Sequence, residues 1–101
     1  TMTEAELDPV IHSQARLRVV ATLATFPAGD RITFTKLQQL LDMTPGNLST
    51  HLRKLEDAEY VEVVKSFQGR SPVTHLSLTS RGRLAFEEYA AAVTKILGGS
   101  S

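Results

Sequence analysis

The 101-residue sequence predicts an α+β fold that is mainly helical and contains one small β-hairpin. First, Leu48, Leu52 and Leu55 recur at helical spacing behind the helix-starting pair Thr44-Pro45. Second, two short stretches rich in strand-forming residues flank the Gly- and Pro-containing stretch 66–72. Third, the alanine-rich stretch from residue 80 to 97 predicts a long last helix.

The first helix is predicted over residues 14–26, with Ser13 as its N-cap and a short turn at Asp8-Pro9 before it. Residues 19–29 contain no charge, so we expect more than one face of this helix to be covered. The stretch 27–30, which contains proline and glycine, ends the helix.

A short strand is predicted at residues 31–34, and it needs a partner strand elsewhere. Thr35 followed by Gln38 has the form of a capping box, so we expect the second helix to begin there. Residues 42–43 leave a tight connection to the next helix. The apolar side of the second helix is formed by Leu37, Leu40 and Leu41.

The third helix is predicted over about 45–58, with the leucine stripe on one side. The opposite, polar side carries Gly46, Thr50, Arg53 and Asp57. Two short helices joined by a few residues form a helix-turn-helix. A polar helix face of this kind fits the DNA major groove, although any solvated surface helix shows the same pattern.

Strands are predicted at 60–65 and 73–78, with a hairpin tip over about 66–72 that contains one arginine, Arg70. Thr79 is the expected cap of the last helix. Residues 1–101 form one predicted domain, with 1–7 and 98–101 expected to be frayed.

Composition narrows the function classes. The sequence has no cysteine, no signal peptide and no apolar membrane span, which favours a cytoplasmic protein. Its net charge of zero argues against non-specific coating of nucleic acid. His12, His51 and His75 lack metal-ligand spacing, and Glu87-Glu88 is typical of a solvated helix edge. We therefore expect no metal, no cofactor and no enzymatic activity.

Several segments together resemble the stand-alone winged helix-turn-helix transcriptional regulators of the MarR and ArsR type. The resemblance covers roughly residues 7–97 and depends on the segments 44–52, 55–56, 60–61, 69–70 and 78–83. It implies a DNA-binding regulator with the third helix in the major groove and the hairpin, or wing, near the minor groove or backbone. It also implies a homodimer.

Position by position, the resemblance places Ser49, Thr50 and His51 in the reading segment and Arg70 at the wing tip. The sequence departs from the family in having Glu59 where a glycine usually ends the third helix, and in having a single wing arginine. The complete set of predicted DNA-binding residues is Thr44, Gly46, Asn47, Ser49, Thr50, His51, Arg53, Lys54 and Arg70.

The last helix has a wider apolar arc than one small core covers, made of Ala85, Phe86, Tyr89, Ala90, Ala92, Val93, Ile96 and Leu97. The first helix has a similar apolar excess, so we expect these two helices to form a homodimer that binds pseudo-palindromic double-stranded DNA. Two alternatives remain open: a protein-interaction module without DNA binding, and a regulator switched by a small ligand at the dimer interface. The sequence identifies no ligand.

Overall fold

A computed structural model describes residues 7–98, which form four helices and a three-stranded antiparallel sheet. The elements are α1 (Gln14–Ala24), β1 (Ile32–Thr33), α2 (Phe34–Leu41), α3 (Pro45–Asp57), β2 (Val61–Gln68), β3 (Ser71–Leu78) and α4 (Ser80–Gly98). The predicted fold class and order of elements are confirmed.

The ends that were expected to fray lie partly outside the described residues, namely at 1–6 and 99–101. Leu7 is half-buried and packs against a cluster that includes Ile11 and Tyr89. Gly98 is the last residue of α4.

Helix α1 begins as predicted, because the Ser13 side chain accepts a hydrogen bond from the Arg16 amide. It ends at Ala24 rather than at Phe26. The amides of Thr25 and Phe26 donate to carbonyls three residues earlier, at 3.1 and 3.2 Å. These shorter-range bonds tighten and close the last turn.

Helix α2 is capped by Thr33, so the predicted cap at Thr35 is wrong. The Thr33 hydroxyl accepts a hydrogen bond from the Lys36 amide at 3.1 Å, and Thr33 has extended backbone angles. Thr33 also pairs with His75 in the sheet. Because this pairing keeps Thr33 extended, the first helical residue is Phe34, and Thr35 lies inside the first turn.

The turn between α2 and α3 depends on a left-handed residue, Asp42, whose φ is +55°. The Asp42 amide donates to the Gln38 carbonyl at 2.9 Å, and this bond closes the end of α2. The Arg18 guanidinium donates to the Leu41 carbonyl at 2.6 Å. Helix α1 is thereby tied to the turn that sets the direction of α3.

The sheet has the strand order β1-β3-β2, so the short strand β1 obtains its expected partner in β3. Pairing of β2 with β3 continues to Gln68 and Ser71. The predicted loop over 66–72 is therefore wrong, because only Gly69 and Arg70 lie outside the strands. Gly69 has φ +68°, which permits a two-residue turn of the type II′ pattern.

Most of the core lies between α1, α2, α3 and the sheet. A smaller cluster, centred on Tyr89, attaches α4 to the segment before α1. Burial of these side chains holds α3 and the hairpin in a fixed arrangement. The buried residues of the main core are Val19, Val20, Leu23, Ile32, Leu37, Leu41, Leu48, Leu52, Leu55, Val61, Leu76 and Leu78.

Candidate nucleic-acid interface

Helix α3 begins and docks as its sequence predicts. The Thr44 hydroxyl accepts a hydrogen bond from the Asn47 amide at 3.2 Å, and Pro45 is the first helical residue. Thr44 therefore serves the helix itself as its cap. The leucine stripe is buried, which directs the opposite face of α3 outward; its members are Leu48, Leu52 and Leu55.

The outward face gathers most of the predicted DNA-binding residues. The Thr50 hydroxyl donates to the Gly46 carbonyl at 3.0 Å. Because this bond uses the hydroxyl proton within the helix, Thr50 offers a ligand its oxygen as an acceptor and its methyl group as an apolar contact. The exposed members of the predicted set on α3 are Gly46, Asn47, Ser49, Thr50, Arg53 and Lys54.

His51 differs from its neighbours because it is half-buried at the flank of α3. Its Nδ1 atom is buried and has no hydrogen-bond partner among the described residues. Burial, followed by the positive charges of Arg16 and Lys54, lowers the pKa of His51 below its usual 6.5. His51 lines a cleft with Ser13 and Asn47, so it lies apart from the surface around Thr50.

A second cleft, with a volume of about 360 Å³, separates α3 from the hairpin. Ser49 and Arg53 line it from α3, and Lys65 and Thr74 line it from the hairpin. Lys65 is not among the residues predicted from the sequence. Lys65 could have been predicted from the alternation of side chains along β2. Residues 61 and 65 lie on the same strand face, and Val61 faces inward.

Arg70 occupies the two-residue turn at the end of the hairpin, as predicted, and is exposed. It lies two residues beyond the end of β2, whereas the rest of the predicted set lies on or next to α3. The neighbouring Phe67 is 74% exposed. Sequence reasoning missed Phe67 because it assigned this residue to a loop.

The hairpin has one acidic residue, Glu62 at the start of β2, and none beyond it. The net charge of zero for the whole sequence does not reveal this local excess of positive charge. Residues 63–86 include no aspartate or glutamate. Arg81 forms an ion pair with Glu59 at 3.0 Å, and the Arg83 guanidinium donates to the Phe26 carbonyl at 3.2 Å. Lys65 and Arg70 make no ion pair within residues 7–98, so their charges are available to an anionic partner.

Residues 7–98 contain no cluster of three or more side chains suited to holding a metal ion. Within the same residues, no helix has both the length and the apolar character needed to cross a bilayer.

The family model of the winged helix DNA-binding domain matches residues 15–97. These residues include the whole sheet and all four helices except the first residue of α1 and the last residue of α4. The chain belongs to this winged helix family. In this family the β2-β3 hairpin is the wing. Helices α2 and α3 form the helix-turn-helix, of which α3 is the second helix. The expected winged helix-turn-helix transcriptional regulator is thereby confirmed, and proteins of this class are not enzymes.

Several known proteins are similar to this winged helix. An uncharacterized protein of Methanocaldococcus jannaschii is 34% identical over 80 residues, which are 79% of this chain and 84% of that protein. A transcriptional regulator homologue from Pyrococcus horikoshii is 27% identical with a TM-score of 0.80, covering 89% of this chain and 86% of that one.

Two bacterial regulators share the fold at lower structural similarity. Streptococcus pneumoniae FabT, solved in complex with DNA, is 32% identical with a TM-score of 0.56, covering 84% of this chain and 62% of that one. Lactococcus lactis ZitR, a zinc-responsive MarR family member, is 22% identical with a TM-score of 0.64, covering 90% and 60%. The ZitR similarity concerns the fold alone. Together with the family model, the Pyrococcus horikoshii protein and FabT identify the chain as a DNA-binding transcriptional regulator.

Proposed function

We propose that this winged helix regulates transcription in the cytoplasm as a homodimer that binds pseudo-palindromic double-stranded DNA. Helix α3 lies in the major groove, and the wing contacts the minor groove or the backbone. The observation that supports this proposal best is the polar face of α3, which is exposed while its leucine stripe is buried. A helix fits the major groove, where polar side chains distinguish the bases.

On α3, Arg53 and Thr50 are the residues that we assign to base edges. Both are exposed and lie opposite the leucine stripe. An arginine paired bidentately with guanine contributes about 1–3 kcal/mol of discrimination against the wrong base. Thr50 presents the methyl group and acceptor oxygen described above, which suit a thymine methyl group or a base amino group.

The other exposed residues of the predicted set contact the DNA backbone in this proposal. The N-terminal end of α3 offers the Gly46 amide and the positive end of the helix dipole to a phosphate. The exposed side chain of Asn47 lies beside it, while the Asn47 amide is bonded to Thr44. Lys54 supplies a point charge on the neighbouring flank. Half-buried His51 supports the flank of α3 and remains neutral near pH 7, since its pKa is lowered.

The dimer that we propose is formed mainly by the distal half of α4. Leu97 is 81% exposed and Ile96 is 49% exposed, and both lie near the half-buried Val93 on one helix. Apolar side chains grouped in this way are typical of a covered surface. Two residues of the predicted apolar arc on α4 are not available to a partner. Ala85 and Tyr89 are buried against Ile11 of the same chain.

The apolar excess expected on the first helix is smaller than the sequence predicts. Val19, Val20 and Leu23 are buried in the main core. Leu17 is half-buried and packs against the smaller cluster. In our proposal α1 therefore supports α4 and contributes less of the dimer surface than α4 does.

Titration of labelled duplexes tests the proposed function. We expect the wild-type protein to prefer one duplex, selected from a random library, over scrambled duplexes, and its affinity to fall linearly with the logarithm of salt concentration. Arg53→Ala should lose about 1–3 kcal/mol of that preference. Lys54→Ala is the matched control, because loss of a phosphate contact weakens all duplexes alike.

The same titration distinguishes the alternative function. A protein-interaction module without DNA binding predicts no salt-dependent affinity for any duplex, and that result would refute our proposal. If Arg53→Ala retained the full preference of the wild type, Arg53 would be a backbone contact or a bystander, while the proposed DNA binding itself would stand. Control by a small ligand at the dimer interface stays a prediction from the sequence.

A further inference from the structure

Phe67 is an aromatic residue that neither hydrophobic cluster of the described residues covers. Its side chain is 74% exposed near the end of the wing. A phenylalanine ring offers a large apolar area to any partner that buries it. A single exposed apolar side chain is common on protein surfaces, however, so the residues around Phe67 must decide whether it has a function.

The alternation of strand β2 places Phe67 on the side of the wing that faces α3. Side chains two residues apart share a strand face, so Phe67 shares a face with Val63 and Lys65. Both of these residues line the cleft between α3 and the wing, together with Arg53. Phe67 therefore continues the α3–wing surface toward the wing tip.

The backbone around Phe67 is held by strand pairing. Phe67 lies opposite Pro72, and the ladder continues beyond this pair to Gln68 and Ser71. Proline has a fixed φ, and the two-residue turn that follows is short. The ring is thus presented by a paired strand, and its ordering on binding involves few rotatable bonds.

The charges around Phe67 favour a polyanionic partner. Lys65 precedes it by two residues, Arg70 follows it by three, and both are exposed. No acidic residue occurs anywhere between positions 63 and 86. The exposed apolar residues on α4 differ from Phe67 because their helix also carries two acidic residues, Glu87 and Glu88. The wing tip therefore combines an apolar ring with cations, whereas α4 suits an apolar protein surface.

We infer that Phe67 is a minor-groove contact, whose ring packs against deoxyribose and base edges while Lys65 and Arg70 bind the phosphates on either side. This inference rests on the proposed function. Apolar side chains are effective in the minor groove, where they pack against the groove and can partly unstack a base step. Contacts of the ring are independent of counterion release, whereas contacts of the two cations depend on it.

This difference gives an experiment that separates the ring from the cations. Affinity for the duplex selected by the wild type is measured against salt concentration for Phe67→Ala, Arg70→Ala and Gln68→Ala. Phe67→Ala should weaken binding about tenfold or more at every salt concentration with an unchanged slope. Arg70→Ala should instead reduce the slope by about one unit. Gln68 points to the opposite wing face, so Gln68→Ala should bind as the wild type does.

Hydroxyl-radical footprinting, which reports protection of sugars in the minor groove, locates the contact on the same duplex. We expect the protection at the wing position to be lost in Phe67→Ala and kept in Gln68→Ala. Wild-type affinity and protection in Phe67→Ala would overturn the inference and leave the proposed function intact. A change in salt slope with intact protection would also overturn it, since the ring would then only position the cations. Absence of duplex binding by the wild type would overturn both proposals.

Discussion

The backbone of Gly82 lies against the carbonyl oxygen of Tyr60, so closely that a Cβ atom at position 82 would come within 2.1 Å of that oxygen. This contact joins the first turn of α4 to the start of the wing. The same junction is closed by the Thr79 hydroxyl, which accepts from the Gly82 amide at 2.9 Å and donates to the Glu59 carbonyl at 2.7 Å. The orientation of the wing relative to α4 therefore depends on a glycine.

We predict that Gly82→Ala destabilises the fold by about 3 kcal/mol, because the backbone of α4 or of the wing must move away. Chemical denaturation measures this change. Gly46→Ala is the matched control, since nothing lies within 4 Å of a Cβ atom there. In that helical position alanine should be neutral or stabilising by up to about 1 kcal/mol. Equal stability of the two variants would contradict the close contact.

Glu59 ends α3 in the left-handed conformation, with φ +67°, although it is not a glycine. The Tyr60 amide donates to the Leu55 carbonyl at 2.9 Å, and the Glu59 amide donates to the Glu56 carbonyl at 2.9 Å. These two bonds form a Schellman motif. The family's usual helix stop is thus retained, with the Glu59 carboxylate paired to Arg81.

Two substitutions at position 59 separate the backbone strain from the ion pair. Glu59→Gly and Glu59→Ala both remove the carboxylate, but only glycine adopts a positive φ without strain. We predict that the glycine variant is more stable than the alanine variant by about 1 kcal/mol in denaturant unfolding. A glycine variant less stable than the alanine variant would mean that the helix ends differently.

The helices were predictable because their signals are local. Ser13, Thr44 and Thr79 bond to amides within their own first turns, as their sequence positions predict. Whether Thr33 or Thr35 caps α2 could not be decided from the neighbouring residues. It depends on the pairing of β1 with β3, whose residues lie some forty positions away in the chain.

The length of the wing strands also could not be predicted from the sequence. Ser66 and Pro72 suggested a loop, yet both are paired within the ladder, because a single left-handed glycine suffices for the turn. The exposure of Phe67 and the position of Lys65 follow from this register. On α3 the sequence predicted the outward face, whereas the burial of His51 depends on α1 packing beside it and gave no local signal.

The phenol of Tyr60 hydrogen-bonds to the Asp8 carboxylate. Burial, followed by this bond and the charge of Asp8, raises the pKa of Tyr60 from 10.0 to about 12. The folded state therefore favours the neutral phenol. Its contribution to the free energy of unfolding is complete below pH 10.0 and is lost as the pH rises through about 12. We predict that the wild type loses more stability across this window than Tyr60→Phe does, measured by denaturation at each pH. Parallel losses in the two proteins would contradict the raised pKa.

Leu97→Glu tests the dimer without disturbing the core, because Leu97 is 81% exposed. A charge in the proposed interface costs several kcal/mol unless the subunits separate. We predict that light scattering reports about half the wild-type mass for this variant, with weaker DNA binding through lost bivalency. Thr94→Glu is the control, because it adds the same charge at another exposed position of α4. A wild-type protein that is already monomeric at micromolar concentration would refute the dimer.

The most direct test of the central claim is a footprint of the wild-type protein on its selected duplex at near-physiological salt. Two α3 helices related by a two-fold axis should protect two symmetric half-sites in the major groove, about 34–36 Å or one helical turn apart. Protection of the minor groove beside each half-site should mark the wings. A single protected half-site, or protection without two-fold symmetry, would contradict the account.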